Sequence, residues 1–263
     1  SRGDGCAYHS EITTVGGKAG YSLGFGTDVI GEFLYEHANI TNGVHTRTGI
    51  IDDVFRDRQV VPGLGGGDFL VFGSEMVRDT RDFQEDPHAG SNMKVSGRFY
   101  KDIDGKDLSF IKLRVEAAKY IQVFSERQVI AARFIGEHNV KAGHDERIPF
   151  FHMARLGGNG VYPSLGDTMR GYERNRWYAQ SAAVLNLEYR YQIWHYKNSE
   201  IDAVLFVDEG EVFNDFGGFE MRNLKTTVGG GLRFKLRRRN YVSFEVAKAS
   251  EDWKIYLRTT APF

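Results

Sequence analysis

Apolar and polar residues alternate along much of this chain. Between 183 and 193, Ala183, Leu185, Leu187, Tyr189, Tyr191 and Ile193 fall on one face of an extended strand. Val184, Asn186, Glu188, Arg190 and Gln192 fall on the other. This period of two predicts a strand long enough to cross a bilayer at a tilt. The pattern recurs at 111–118, where Ile111, Leu113, Val115 and Ala117 oppose Lys112, Arg114 and Glu116, and again at 230–236 and 241–246. At the C-terminal end, Trp253, Ile255, Leu257, Thr259, Ala261 and Phe263 oppose Lys254, Tyr256, Arg258 and Thr260. Weaker alternation predicts strands at 6–15, 18–27, 29–41, 44–56, 68–80, 92–102, 121–137, 201–213 and 219–229. Roughly twelve to fourteen strands follow, with Asn42-Gly43 and Asp104-Gly105 as hairpin turns.

Alternation alone also suits a soluble β-sandwich. Two details favour a membrane barrel. The polar faces carry Arg, Lys and Glu at successive positions, as a hydrated lumen would, and the apolar faces place Tyr, Trp and Phe near strand ends, as an interfacial girdle would. Composition agrees: 31 glycines, 13% aromatic residues and only 5 prolines among 263 residues suit strands joined by tight turns. Lys and Arg number 34 against 35 Asp and Glu, which lacks the basic excess of a nucleic-acid binder. The single cysteine, Cys6, allows no intramolecular disulfide and no cysteine metal cluster. No apolar run reaches 18 residues, which excludes a transmembrane helix and says nothing against a barrel.

Residues 139–176 break the pattern. They hold Gly143, Gly157, Gly158, Gly160, Gly166 and Gly171 among several charges, and a loop of this length in a compact fold usually carries function. It ends in Met169-Arg170-Gly171-Tyr172 and runs directly into the strand at 177–193. A guanidinium inside a narrow lumen is costly unless paired, and Asp208 and Glu188 occupy polar-facing positions on neighbouring strands. Without further context, Arg170 reads better as a solvated loop arginine and Asp208 as an ordinary lumenal charge.

The order of short motifs supplies that context. Leu156-Gly157-Gly158, the Arg170-Gly171-Tyr172 run, Asn186-Leu187-Glu188-Tyr189-Arg190 and Phe206-Val207-Asp208-Glu209-Gly210 follow one another. Arg78-Asp79-Thr80-Arg81-Asp82 and Pro87-His88-Ala89-Gly90 precede them. In this the chain resembles the BamA/TamA family of outer-membrane assembly and translocation barrels, the bacterial surface antigens whose barrels accompany POTRA domains. The resemblance is strong over about 68–263 and weak over 1–67. It implies an antiparallel transmembrane β-barrel, the C-terminal part or all of a 12–16-stranded one, with the long loop folded into the lumen. Arg170 would contact Asp208 of the Phe206/Asp208/Gly210 strand motif, and Glu188 would match an acidic position on the intervening strand. Phe263 would serve as the C-terminal assembly signal, with Pro262 an unusual neighbour.

The same resemblance implies location in the bacterial outer membrane, no cofactor, and no enzyme activity in this chain. The implied partners are outer-membrane lipids, client or secreted polypeptides, and periplasmic or accessory assembly proteins. Residues 1–263 are expected to form one barrel domain, with POTRA or other N-terminal domains outside it. Family barrels have five strands after the long loop, and five fit here: 177–193, 198–213, 219–236, 239–250 and 252–263. Only seven to nine fit before it. Two other functions stay open: a barrel anchoring an upstream patatin-like lipase domain, and a passive pore.

Remaining candidates are bland. His144, Asp145, Glu146 and His152 lack a recognised ligand spacing. Gly65-Gly66-Gly67 lacks the Lys-Ser/Thr of a phosphate loop, no serine sits in a nucleophile elbow, and Arg237-Arg238-Arg239 reads as a solvated turn.

Overall fold

A computed structural model describes residues 8–42, 61–142, 147–158, 169–236 and 240–259. Among them are six long strands before the loop: β1 (Tyr8–Gly24), β2 (Thr27–Asn42), β3 (Gly67–Asp79), β4 (Gly90–Asp102), β5 (Phe110–Val123) and β6 (Ser125–Lys141). The loop holds two short strands, β7 (Ala154–Leu156) and β8 (Trp177–Ala179), which pair with each other. Five strands follow: β9 (Ser181–Tyr196), β10 (Ser199–Phe213), β11 (Lys225–Leu236), β12 (Asn240–Ala249) and β13 (Trp253–Arg258). Ten antiparallel pairings join β1–β6 and β9–β13 into one eleven-stranded sheet in chain order. No helix among the described residues is long and apolar enough to cross a membrane.

In most strands of the wall the alternation sets which side faces in; β1 is exposed on both faces. In β9, Ala182, Val184, Asn186, Glu188 and Arg190 are buried while Leu185, Leu187 and Tyr191 are exposed. The partition inverts that of a soluble protein. Leu205, Ile255 and Leu257 are 63%, 68% and 75% exposed on one face, and Glu188, Asp208 and Glu245 are 1%, 0% and 0% exposed on the other. Water would favour the reverse arrangement; an apolar solvent outside and a polar lumen inside favour this one. A soluble sandwich, with its oily faces buried against each other, is thereby excluded.

The outward face yields a direct prediction. Phe244 lies mid-strand, opposite Leu232 and Leu257, and faces outward. Phe244→Arg is expected to destabilise the folded protein in lipid vesicles by about 2–4 kcal/mol, the penalty for a cation near a bilayer midplane. Urea titration in vesicles measures it. A shift within about 0.5 kcal/mol, ordinary for a water-exposed position, would contradict lipid contact.

Six strands stand before the loop among the described residues, which do not include the candidate at 44–56. The segments at 6–15 and 18–27 are one strand, because Gly16 and Gly17 continue the ladder against Leu34 and Phe33 instead of breaking it. The stretch 177–193 divides, since Trp177–Ala179 pairs within the loop and the wall strand begins at Ser181. The stretch 219–236 shortens to Lys225–Leu236, with a 3₁₀ turn at Met221–Asn223 before it. Asp104-Gly105 lies in the connection between β4 and β5. The strand candidate 44–56, the glycine of the Asn42-Gly43 turn, Cys6, His144, Asp145, Glu146, the 237–239 cluster, Pro262 and Phe263 lie outside the described residues.

The two ends of the sheet differ. At one end β1–β2, β5–β6 and β9–β10 close through 25–26, 124 and 197–198. Phe25, Phe124 and Lys197 adopt left-handed backbone there, which such tight reversals require. The long loop follows β6 at the other end, and its described residues lie against the inner face. Two apolar clusters anchor it. Phe150 and Phe151 pack with Phe69, Val71, Tyr100 and Phe110 of β3–β5. Leu156, Met169 and Tyr172 pack with Ile135, Val184 and Ala249 of β6, β9 and β12.

Candidate functional site

The loop tip lies among lumenal charges. Arg170 donates from Nε to Asp208 Oδ2 at 2.7 Å and from Nη2 to Oδ1 at 2.6 Å, a bidentate fork, and its backbone N–H reaches Oδ2 at 3.1 Å. Nη1 donates to Glu188 Oε1 at 2.7 Å and lies 3.6 Å from Glu245 Oε2. The guanidinium stacks on the Phe206 ring, 3.4 Å from its centroid. Arg170 is only 3% exposed.

Strand periodicity assembles this pocket. Phe206, Asp208 and Gly210 are at i, i+2 and i+4 of β10 and therefore share its inner face. Their contributions differ, with Phe206 supplying the platform, Asp208 the fork, and Gly210 the room. A Cβ on Gly210 would lie 2.7 Å from Leu156 Cδ1 and 3.0 Å from Met169 Sδ. Register brings Glu188 opposite Phe206, beside the same guanidinium. Gly171 turns the chain with φ +84°, and a Cβ there would sit 2.8 Å from Thr227 Cγ2. Its N–H donates to Tyr256 Oη at 2.7 Å, while Thr227 Oγ1 donates to the Arg170 carbonyl at 2.8 Å. The Tyr172 hydroxyl reaches the Thr226 carbonyl at 3.3 Å, and its ring meets Trp177 edge-on.

Glu188 serves three cations. Oε1 accepts from Arg170 and from Arg233 Nη2 (2.9 Å), and Oε2 accepts from Arg190 Nε (3.0 Å). Arg233 also donates to Glu245 Oε1 at 2.9 Å. The structure thus brings Arg170, Asp208, Glu188 and Phe206 together and adds Arg190, Arg233, Glu245 and Tyr256. The alternation placed those four on polar faces, but only the pairing register shows that they converge.

A second anchor went unnoticed in the sequence. His152 sits in the 3₁₀ turn Phe150–His152, buried against Phe69, Tyr100 and Phe110. Its Nε2 lies 2.7 Å from Glu36 Oε1, and Lys112 Nζ donates to its carbonyl at 2.7 Å. In the sequence His152 stands out only as one of four metal-capable side chains in a polar loop. Glu36 gave little signal because β2 mixes Leu34, Glu36, Ala38 and Ile40 on its inner face.

Burial holds the His152 imidazole below its ordinary pKa of 6.5, with the Glu36 carboxylate pulling the other way. The folded loop therefore prefers neutral His152, whereas the unfolded chain takes up a proton near pH 6.5. The resulting stabilisation is complete above that pH and is lost as pH falls below it, by up to about 1.4 kcal/mol per pH unit. Unfolding titrations between pH 7.5 and about 5 should show this slope in the wild type and a flatter one in His152→Gln. Equal slopes would contradict it.

An antiparallel sheet with an oily outer wall, a charged inner face and a loop pinned inside defines a plugged outer-membrane-type barrel fold. Comparison assigns the family: the Omp85 superfamily domain matches residues 10–249, and the chain belongs to that superfamily. A search of curated proteins finds no match. Among solved structures, BamA from Haemophilus ducreyi lacking POTRA domains 1–3 superposes with a TM-score of 0.71 at 15% identity, covering 98% of this chain and 55% of that one. CdiB from Acinetobacter baumannii superposes with a TM-score of 0.57 at 11% identity, covering 95% and 42%. The chain spans about half the length of these structures, and at such identities they speak to fold alone.

Proposed function

We propose that this chain is an outer-membrane barrel of the BamA/TamA type that assists insertion or translocation of other polypeptides. The observation carrying the reading is the loop tip held by Asp208 and Glu188 inside the wall of an Omp85 barrel. Such a loop obstructs the lumen, which disfavours a passive pore. The proposed mechanism involves no bond chemistry. Among the described residues β13 pairs only with β12, and a strand edge free of a partner offers N–H and C=O groups that template an incoming strand. Phe263, just beyond, is proposed as the assembly signal. Arg170, Gly171 and Tyr172 fix the loop, and Asp208, Glu188 and the Phe206/Gly210 frame receive it.

Reconstitution in liposomes tests the reading. Unfolded outer-membrane barrel clients should insert faster than into protein-free vesicles, and planar bilayers should show only small, intermittent currents. Large steady currents without any effect on insertion would favour the pore instead. The anchor reading, with a lipase domain upstream, predicts neither effect.

A further inference from the structure

The mouth opposite the long loop carries an inward-folded segment of its own. While three connections at this end use one or two residues, β3 and β4 are joined by 80–89. The turn is internally braced. Asp82 Oδ1 accepts N–H groups from Phe83, His88 and Ala89 at 3.0, 3.0 and 3.1 Å. Arg81 forks onto Asp79 at 2.9 and 2.6 Å and reaches the Gln84 carbonyl at 3.1 Å.

Thus stiffened, the turn crosses the concave side. Asp86 and Pro87 are buried although they belong to a hairpin connection. Asp86 Oδ2 accepts from Lys235 Nζ at 2.5 Å, and the same ammonium lies 2.5 Å from Asp202 Oδ2. Arg190 Nη1 donates to the Pro87 carbonyl at 3.5 Å, and His88 Nε2 lies 3.4 Å from Asp86 Oδ2. Lys235 is on β11, six places from β3 in the sheet, so these contacts span the lumen and do not run along the wall.

The means of attachment matters. None of the apolar clusters among the described residues includes a residue of 80–89. The long loop has an oily anchor at each end of its described course; the turn is held across the lumen by polar contacts. Polar contacts can be exchanged for water as a segment swings out, without opening a packed core. Arg190 also has two roles: it holds Pro87 and it binds Glu188, the carboxylate that binds Arg170. Lys235 follows Arg233, another Glu188 partner, by one inward position on β11.

We propose that residues 80–89 form a second gate, closing the lumen at the short-turn mouth, and that Glu188 and Arg190 couple it to the Arg170 latch. Freeing either segment loosens the other. Gate and coupling rest on the lumenal placement of these groups and not on what the protein transports.

Amide exchange read by mass spectrometry on the full chain in lipid nanodiscs, together with planar-bilayer current, tests it. Lys235→Gln should raise exchange of the 82–89 peptide at least tenfold and increase current severalfold, with wall-strand peptides unchanged. If that variant does not fold, Asp86→Asn, which alters only the turn, carries the test with the same expected result. Arg170→Lys keeps the charge but loses the fork, and should raise exchange of 82–89 at least threefold from across the lumen. Faster turn exchange with unchanged current would overturn the gate. Unchanged turn exchange in Arg170→Lys would overturn the coupling. A failure of client insertion leaves both results standing, because neither readout involves a client.

Discussion

Arg170→Ala is expected to lower the stability of the folded protein by about 3–5 kcal/mol, the usual consequence of removing one partner from a buried ion pair. The reason lies in what remains. Asp208 and Glu188 stay fully buried without the cation that both were built around, and Phe206 loses the guanidinium above its ring. Urea unfolding in lipid vesicles, followed through Trp177, Trp194 and Trp253, measures the loss. Replacing Arg170 and Asp208 together with neutral residues of similar size should be less harmful than Arg170→Ala, because Glu188 then keeps Arg190 and Arg233 as its cations and no carboxylate of the pair stays buried alone. A double variant worse than the single one would contradict the pairing argument.

Glu188→Gln should be at least as damaging, although it changes only one oxygen to an amide nitrogen. That carboxylate stands between Arg170, Arg190 and Arg233, which depend on it to offset their mutual repulsion in a site closed to water. An amide keeps one acceptor, brings two donors and removes the negative charge. Asp208→Asn should cost less, because among the described residues Asp208 faces a single cation and Glu188 still serves that cation. The order Glu188→Gln worse than Asp208→Asn, read from the same unfolding titrations, is the expected result; the reverse order would mean that Glu188 is not the hub.

These outcomes rest on features of unequal visibility in the sequence. The wall was plainest after the loop, where alternation at 183–193, 230–236, 241–246 and 253–263 marks the inner faces of four strands without any knowledge of pairing, while 201–213 alternates more weakly and the count of five came from the family resemblance. It was less plain before the loop. Gly16-Gly17 resembles a turn, yet lies inside β1 because glycine is accepted in a ladder when the partner strand supplies the hydrogen bonds. Trp177–Ala179 continues the alternation of β9 but belongs to the loop sheet, and period alone cannot say which neighbour a strand takes. At the site, Arg170, Asp208 and Glu188 were legible as residues in ordered motifs. Glu245, Arg233 and Tyr256 were legible only as inward-facing, since their convergence depends on register across four strands. His152 and Glu36 were invisible as a pair, separated by 116 positions and set among apolar neighbours that hide the alternation.

The most direct test of the account is amide exchange at Arg170 and Gly171 in the protein reconstituted in lipid. Their N–H groups donate to Asp208 and to the Tyr256 hydroxyl inside the wall. Both should exchange as slowly as mid-strand amides of β10, and the protection should vanish in Asp208→Asn while β10 retains its own. Exchange at the rate of a solvated loop in the unaltered protein would contradict a pinned loop.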